Sequence, residues 1–549
     1  MSRSLSANWA NSMRETLRFL FGNRLVEIAA CDPTLTVLDW LRLDQRMTGT
    51  KEGCAEGDCG ACTVVIGRLD RGRLRYEAIN ACIRFLPTLD GCQLLTVEHL
   101  KDEAGALHPV QQALVESHGS QCGFCTPGFV MSLLALKLNE DRPSVARIED
   151  ALAGNLCRCT GYEPIIAAAR RMYEIGARDE DRFAREREEV ARRLAELQDG
   201  ETLALEGAGR RFYAPATVEA LAELVAAEPK ATLVAGATDV GLWVTKGMRK
   251  LDPVVSLGRI DALRGVSDEG GELRFGAMTN HIDVRKALAK LSPQLDELMR
   301  RFGGEQVRNA GTIGGNIANG SPIGDLPPAL IALGARLVLG SAKSSTSPHP
   351  EEPRSGVSKD VLGGSNGSAS ILRDAPNGAP QDEGSFCLHR RTIPLESFFL
   401  DYRKQDRREG EFVEAVLVPK LPDDALFHIS KISKRFDEDI SAVCGAFLVR
   451  RDATGTVTEA RLAFGGMAGI PKRAKAAEAA LIGRAWGEAA VRDAVTALAE
   501  DFTPLGDMRA SAGYRLKVAG NLLWRFLIET IQPETGTRVA GLLAEAAHG

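Results

Sequence analysis

The chain lacks the features that would place it in a membrane or on a nucleic acid. No uninterrupted apolar stretch approaches membrane-spanning length, which argues against a transmembrane helix. Residues 1–13 have no continuous apolar core of the kind that a secretory signal needs. The formal net charge is only -5, so no global basic field attracts nucleic acid or anionic lipid. We therefore expect a cytoplasmic protein with no membrane and no nucleic-acid partner.

Disulfide bonds are also not expected, although the chain holds twelve cysteines. A cytoplasmic compartment keeps thiols reduced, and eight of the twelve fall into two tight groups, which favours metal or cluster ligation. The length of 549 residues exceeds what one hydrophobic core usually organises. We expect three or four domains, with the cysteine pattern as the main indication of function.

The first cysteine group has the spacing C-x4-C-x2-C in KEGCAEGDCGACTVVIG, with a fourth cysteine downstream in INACIRFLP. This spacing is typical of a plant-type 2Fe-2S cluster. Glycines within the loop permit a tight turn and let backbone N–H groups approach the cluster sulfurs. Structural zinc is the alternative, but zinc motifs more often pair two C-x2-C units. The predicted ligands are Cys54, Cys59, Cys62 and Cys82.

The second group consists of C-x2-C in SQCGFCTPG and C-x1-C in GNLCRCTGYEP. Apolar positions at helical spacing predict four helices over residues 108–175, so these cysteines lie at helix ends. Four sulfurs can therefore meet at one end of a helical bundle, where a second cluster beside the first would form an electron relay. Zinc remains possible on ligand count alone. The predicted ligands are Cys122, Cys125, Cys157 and Cys159.

Other segments define the organisation of the chain. Residues 16–29 predict a tight β-hairpin around Gly22-Asn23. Residues 177–198 are densely charged with mixed signs, which favours a solvated linker helix. Residues 341–385 are rich in Ser, Pro, Gly and Asn, and we expect a disordered surface insertion there.

Two glycine-containing stretches further on could approach phosphates. Residues 233–240 (LVAGATDV) follow a strand-like segment, and residues 302–325 contain the run TIGGN. Small residues give phosphates access to backbone N–H groups, and Asn316 can add side-chain bonds. Neither stretch is a G-x-G-x-x-G after a strand, so a Rossmann fold is not indicated. Taken singly, each is more typical of ordinary tight turns.

The motifs QCGFCTPG and NLCRCTGY, downstream of a C-x4-C-x2-C domain, resemble the iron-sulfur region of the xanthine dehydrogenase and aldehyde oxidase family of molybdenum hydroxylases. The resemblance extends over essentially the whole chain outside residues 341–385. It implies an α+β multidomain fold. The implied parts are a ferredoxin-like β-grasp domain (14–98), a four-helix 2Fe-2S domain (99–178), a charged linker (179–203), an α+β FAD-binding domain (204–400) and a C-terminal α+β flavoprotein domain (425–545).

The same resemblance implies the residues that hold FAD. Residues 233–240 and 312–316 would bind its pyrophosphate and ribityl chain, Phe302 would lie by the flavin, and Asp325 would bond the adenosine side or the chain. Ala237 departs from the commoner Asn or Gly. In the family, Gln121 would face the pterin of a partner. The implied cofactor-binding residues are Leu233, Val234, Ala235, Gly236, Ala237, Thr238, Asp239, Val240, Phe302, Thr312, Ile313, Gly314, Gly315, Asn316, Asp325, Val413, Lys431 and Gln121.

The role that this resemblance implies is electron transfer. The chain ends at Gly549 without a molybdenum domain, so we expect the bacterial small subunit of xanthine dehydrogenase, with a separate molybdopterin-binding large subunit in a heterotetramer of two small and two large subunits. Hypoxanthine or xanthine would be oxidised to urate on that partner, with no catalytic residue here. Electrons would pass through two 2Fe-2S clusters to FAD and then NAD. The alternatives are the same relay in an aldehyde oxidase, carbon monoxide dehydrogenase or aromatic-thioester reductase, or a zinc-binding assembly protein.

Overall fold

In the computed structural model, which describes residues 13–102, 104–344 and 386–538, a five-stranded sheet carries the first cysteine group. Its first hairpin turns at Gly22-Asn23, as predicted. A short helix, Val37–Asp39, continues as a π-helical turn over Trp40–Asp44, and Trp40 packs edge-on against Phe19 and Phe21. The strands in sheet order are Arg24–Ile28, Leu17–Phe21, Gln93–Leu95, Thr63–Asp70 and Arg73–Asn80.

Four helices follow, as the apolar periodicity predicts. Proline occupies the first turn of three of them, where its missing N–H costs no helical hydrogen bond. The second helix is buried on every side from Gly128 to Leu138, so it forms the centre of this domain. The helices are Pro109–Glu116, Thr126–Asn139, Val145–Leu152 and Glu163–Ile175.

The charged segment after these helices is not a solvated linker. It forms the helices Arg182–Arg185 and Arg187–Glu196, which pack into a core shared by the first sheet and the four helices. The segment is helical, as predicted, but it is not solvated on all sides, because a few apolar side chains, spaced at helical intervals among many charges, bury one face. The side chains buried in this common core are Phe183, Val190, Leu194 and Leu197.

Two sheets form the next portion of the chain. The first sheet, in spatial order, contains Met13–Arg14, Thr202–Gly207, Arg210–Ala214, Val254–Ser256 and Thr232–Val234. The second contains Val266–Asp268, Glu272–Gly276, Phe412–Pro419, Arg336–Ser344 and Phe386–Pro394. The helices of this portion are Val218–Ala227, Val240–Thr245, His281–Leu288, Pro293–Arg300, Glu305–Ala310, Ile313–Asn319, Leu326–Ala332 and Leu395–Phe398.

The expected insertion interrupts the second sheet. Residues 341–344 belong to the strand Arg336–Ser344, which pairs with Phe386–Pro394, so ordered structure extends past the predicted start of the insertion. Residues 345–385 lie outside the described part of the chain, and the expected disorder there stays a prediction. The strand Phe412–Pro419 extends the sheet beyond residue 400, because it pairs between Glu272–Gly276 and Arg336–Ser344.

A four-stranded antiparallel sheet with three helices forms the C-terminal portion. Its strands are Leu426–Ile432, Val443–Arg451, Val457–Gly465 and Lys472–Arg473. Its helices are Lys475–Leu481, Glu488–Asp501 and Ala512–Ile531. None of the helices in the described ranges is both long enough and apolar enough to cross a membrane.

Three glycines let the first cysteine loop lie directly on the helical domain. A Cβ on Gly128 would stand 2.3 Å from the carbonyl oxygen of Gly60, and a Cβ on Gly60 would stand 2.1 Å from that of Gly154. Gly60 also has a φ of +68°, which L side chains rarely adopt. The two cysteine-bearing domains therefore meet backbone against backbone.

We predict that Gly128→Ala destabilises the protein by about 1–3 kcal/mol, because the added methyl group must push the Gly60 carbonyl away. Denaturant unfolding of the purified protein measures this change. Gly513→Ala is the matched control, since a Cβ there meets no atom within 4 Å, and it should leave stability unchanged or slightly raised. Equal stability of the two variants would contradict the close backbone contact.

Candidate cofactor sites

The first cysteine group gathers its four sulfurs around the loop after Gly53. Backbone N–H groups of Glu56, Asp58 and Cys59 each donate to Sγ of Cys54 at 3.4 Å. Hydrogen bonds from the Cys59 and Cys82 thiols, with these backbone donors, hold the pKa of Cys54 well below its usual value. A hydrogen bond from Cys82 likewise lowers the pKa of the buried Cys62. Hydrogen bonds with these same cysteines raise the pKa values of Cys59 and Cys82, so two of the four sulfurs favour the thiolate, which is the form that ligates metal.

The second group is half buried and half exposed. Cys157 is buried and Cys125 intermediate, whereas Cys122 and Cys159 are exposed. Burial, and a hydrogen bond with Cys157, raise the pKa of Cys125 to about 12. The hydrogen bond with Cys122 raises the pKa of Cys159. The sulfurs thus associate as two pairs, one inside and one at the surface.

Each group supplies four cysteine sulfurs, the number that a 2Fe-2S cluster and a four-cysteine zinc site both require. Zinc requires four ligands around a single centre, whereas a 2Fe-2S cluster requires two protein sulfurs on each of two irons. Both four-cysteine groups fit the latter requirement.

A cavity of about 660 Å³ lies where the two sheets of the middle portion meet the C-terminal portion. This volume is within the usual range for cofactor sites. Fifteen of the eighteen implied cofactor residues line it. They are Leu233, Ala235, Gly236, Ala237, Thr238, Asp239, Val240, Phe302, Thr312, Gly314, Gly315, Asn316, Asp325, Val413 and Lys431.

The other three implied residues do not line this cavity. Val234 and Ile313 are fully buried in hydrophobic cores, because alternate residues of a strand and successive residues of a helix face different sides. Gln121 is exposed beside the second cysteine group, far from the flavin cavity in the chain. Its expected role toward a partner's pterin stays a prediction.

The glycines of this cavity serve two different purposes. A Cβ on Gly236 would stand 1.8 Å from the carbonyl oxygen of Ala310, and one on Gly314 would stand 2.6 Å from Cβ of Ala277. These two glycines therefore let the chain pack tightly against itself at the cavity wall, and the phosphate access that we expect from them stays a prediction. Gly315 also lines the cavity and is partly exposed, and a Cβ there would meet only the Thr312 hydroxyl within 3 Å, at 2.9 Å.

Two further features fit a bound FAD. Oδ1 of Asn316 is buried and has no hydrogen-bond partner among the described residues, so it can accept from a ligand hydroxyl. Ala237 has a φ of +61°, in the left-handed region that favours Gly and Asn. This conformation explains why Asn or Gly would be commoner at the position: the backbone geometry, and not only a side-chain contact, selects the residue.

A buried ion pair closes one wall of the cavity. Nζ of Lys431 donates to Oδ2 of Asp325 at 2.5 Å, and the Ser441 hydroxyl donates to Oδ1 at 2.5 Å. The side chains of Lys431 and Asp325 are only 2% and 6% exposed. Both carboxylate oxygens of Asp325 thus have protein partners, and its main visible role is to hold Lys431 in the wall.

Sequence reasoning missed several cavity residues. His281, Trp243, Arg407 and Glu438 line it, yet none belongs to a motif. The His281 ring lies 4.6 Å from that of Phe302, and burial, reinforced by Arg308, lowers its pKa to about 3. Burial raises the pKa of Glu438 to about 8. Only the folded chain brings these titratable groups to the site.

Comparisons with known proteins agree with this geometry. Three family models match: "[2Fe-2S] binding domain" over residues 96–170, "FAD binding domain in molybdopterin dehydrogenase" over 206–352, and "CO dehydrogenase flavoprotein C-terminal domain" over 428–530. Xanthine dehydrogenase of Drosophila subobscura is 32% identical over 502 residues, covering 82% of this chain and 34% of that protein. Xanthine dehydrogenase/oxidase of Rattus norvegicus is 30% identical over 567 residues, covering 94% and 39%.

This chain carries the iron-sulfur and FAD part of a molybdenum hydroxylase. It spans about a third of the length of the curated relatives it matches. Among solved structures, carbon monoxide dehydrogenase from Hydrogenophaga pseudoflava has a TM-score of 0.46 at 27% identity, covering 57% of this chain and 94% of that one. Quinoline 2-oxidoreductase from Pseudomonas putida 86 has a TM-score of 0.46 at 21% identity, covering 58% and 96%.

For this molybdenum hydroxylase chain we predict that Lys431→Met lowers both stability and FAD retention. The change leaves the buried Asp325 carboxylate without its cation, which typically costs about 3–5 kcal/mol. Denaturant unfolding and the flavin content after gel filtration measure the two effects. Lys434→Met is the control, because Lys434 is exposed and bonds only the Met508 carbonyl. Equal flavin content in the two variants would contradict a role for the ion pair in the cavity.

We also predict that His281 makes the protein acid-sensitive. The pKa of His281 in the folded protein, about 3, lies below its value in the unfolded chain. The contribution of the neutral ring to the free energy of unfolding is therefore fully present above pH 6.5 and is lost as the pH falls toward 3. The loss is at most about 1.4 kcal/mol per pH unit. Unfolding of His281→Gln between pH 7 and 5 should show a shallower dependence than wild type. The exposed His118→Gln should retain the wild-type slope, and a wild-type slope in both variants would refute the prediction.

Proposed function

We propose that this chain passes electrons from a molybdenum-cofactor subunit through two 2Fe-2S clusters to FAD and then to NAD. The observation that carries the proposal is the contact between the two cysteine groups. The backbone N–H of Leu156, beside Cys157, donates to the carbonyl of Cys59 at 3.0 Å. Two clusters whose cysteine loops share a backbone hydrogen bond would be close enough for electrons to pass directly from one to the other.

The flavin cavity lies next to the first cysteine group, so FAD would be the third cofactor in the relay. The helix Val240–Thr245 begins in the cavity wall and ends on the first cysteine loop. There the Thr245 hydroxyl donates to the carbonyl of Ala55 at 2.8 Å, and Lys246 donates to that of Cys54 at 2.5 Å. This arrangement supports the order second group, first group, flavin.

The chain's own residues would hold and shield the cofactors. The eight thiolates would ligate the irons, and backbone N–H groups at Cys54 would stabilise negative charge on sulfur. Asn316, Gly315 and the Lys431–Asp325 pair would position FAD. When bound, the clusters supply one-electron carriers and FAD supplies exchange between one- and two-electron chemistry.

The exposed end of the second group supports a partner protein. Gln121, Cys122 and Cys159 are exposed, and large apolar side chains lie beside them, with Phe124 48% and Leu156 56% exposed. Apolar surface around a redox site suits docking of another protein. We propose a molybdopterin-binding large subunit there, in a heterotetramer of two small and two large subunits, in the cytoplasm.

Hypoxanthine and xanthine are the proposed substrates of that partner, because xanthine dehydrogenases are among the relatives that match over most of this chain. The same relay would equally serve an aldehyde oxidase, a carbon monoxide dehydrogenase or an aromatic-thioester reductase. Anaerobic spectra of the chain purified with its partner distinguish these substrates. Bleaching by xanthine supports the assignment, whereas bleaching by an aldehyde but not by xanthine would replace it.

The cluster assignment gives a further prediction. The purified protein should contain about four irons with acid-labile sulfide per chain, as two 2Fe-2S clusters require. Cys62→Ser and Cys157→Ser should each remove about two irons and leave the other cluster's spectrum intact. Cys387→Ser is the control, because this exposed cysteine belongs to neither group. Two zinc ions in a colourless wild-type protein would instead indicate the assembly-protein alternative.

The proposal that NAD is the electron acceptor is tested by a separate experiment. Under anaerobic conditions, NADH should reduce the flavin and then the clusters in the isolated holoprotein, since an electron relay runs in both directions. Rapid-scan absorbance records both steps. Reduction by dithionite without any reduction by NADH would remove NAD from the proposal and leave the cluster relay in place.

A further inference from the structure

The short helix Glu305–Ala310, here called the junction helix, contacts both cysteine-bearing domains. Glu305 pairs with Arg147 of the helical domain at 2.6 Å, and Arg308 pairs with Asp150 of the same domain at 2.7 Å. Nδ2 of Asn309 donates to the carbonyl of Ala78 in the ferredoxin-like sheet at 3.0 Å. Three residues of this short helix therefore bind two other domains.

The opposite side of the junction helix belongs to the flavin site. Val307 and the following Gly311 line the cavity. The carbonyl of Ala310 lies so close to Gly236 that no Cβ would fit between them. The helix is thus in contact with all three proposed cofactor sites at once.

Gln306 lies at the centre of this contact and is 1% exposed. Its Nε2 is within hydrogen-bond distance of Oγ1 of Thr63 at 3.2 Å, Oγ of Ser132 at 3.1 Å and Oδ1 of Asn155 at 2.9 Å. Thr63 directly follows Cys62, and Asn155 stands two residues before Cys157. One buried amide therefore joins the two cysteine-bearing loops.

The acceptors of Gln306 are themselves fixed by the same loops. The Thr63 hydroxyl donates to the carbonyl of Gly60 at 2.6 Å, and Nδ2 of Asn155 donates to the same carbonyl at 3.2 Å. The Ser132 hydroxyl donates to Oδ1 of Asn155 at 2.7 Å. On the donor side of the amide this buried network is connected, whereas Oε1 of Gln306 is buried without a hydrogen-bond partner among the described residues. A buried polar network restricts the arrangement of the groups that it joins.

We propose that Gln306 is a positioning residue that fixes the separation and relative orientation of the two clusters. This inference rests on the proposed function, in which both cysteine groups hold 2Fe-2S clusters. Gly60, Gly128 and Gly154 already bring the domains into van der Waals contact, so docking does not need the amide. The amide instead determines where Thr63 and Asn155 stand, and hence where the adjoining Cys62 and Cys157 hold their irons.

The test is magnetic coupling between the two reduced clusters in the holoprotein. Low-temperature EPR of dithionite-reduced protein records the splitting caused by one cluster on the other, which depends steeply on their distance. Gln306→Met keeps the side-chain length but removes the two N–H groups that the three acceptors share. We expect the wild-type splitting to be lost or replaced by a broad distribution, with about four irons retained per chain, as two 2Fe-2S clusters require.

A matched control separates this role from general packing. Gln294→Met removes the amide that bonds the carbonyl of Phe427 at 3.1 Å, at an interface with the C-terminal portion and not with the clusters. It should keep the wild-type splitting. Ser132→Ala removes one acceptor of Gln306 and the donor to Oδ1 of Asn155 but keeps the amide, so it should change the splitting less than Gln306→Met does.

The outcomes are distinguishable. Wild-type splitting in both Gln306→Met and Ser132→Ala would overturn the inference. Loss of iron from Gln306→Met together with a wild-type spectrum of Ser132→Ala would also overturn it, because Gln306 would then act only in folding. Absence of two cluster signals from wild type would refute the proposed function itself, before any variant is compared.

Discussion

The close approach of the first cysteine loop to the helical domain is the constraint on which the rest of this structure depends. Electron transfer between buried groups requires short distances, and side chains between the two loops would increase them. Glycine at positions 60, 128 and 154 removes those side chains, so the carbonyl of Gly60 lies against the helix of Gly128. The hydrogen bond from the backbone N–H of Leu156 to the carbonyl of Cys59 spans the same contact.

Charged side chains surround this contact and limit how the domains can dock. Asp150 of the helical domain faces Arg308 and Arg285, and Arg147 faces Glu305. Burial alone would raise the pKa of Asp150, but the two guanidinium groups lower it below its usual value. Buried ion pairs add little net stability, yet an unpaired member is strongly unfavourable. The network therefore favours one docking geometry over others rather than strengthening docking in general.

Local patterns were enough to predict the hairpin at Gly22-Asn23, the four helices and both cysteine groups, because each rests on short-range spacing. Contacts between distant segments were not predictable in the same way. His281 and Glu438 line the cavity, although no sequence motif marks them as ligand-binding residues. The charged helix Arg187–Glu196 buries one face through Val190 and Leu194. Of residues 233–240, seven line the cavity and one does not. Strand alternation turns Val234 into the core while Leu233 faces the cavity.

The flavin cavity is assembled from segments that lie far apart in the chain. Residues 233–240 and 302–325 come from the middle portion, whereas Lys431 and Glu438 come from the C-terminal portion. The Lys431–Asp325 pair and the Ser441 hydroxyl join these portions at the cavity wall. A ligand that binds only the assembled cavity stabilises that assembly in proportion to its binding free energy. On the proposed assignment of this cavity to FAD, FAD binding and docking of the C-terminal portion form one coupled equilibrium, so a change that loosens either must weaken the other.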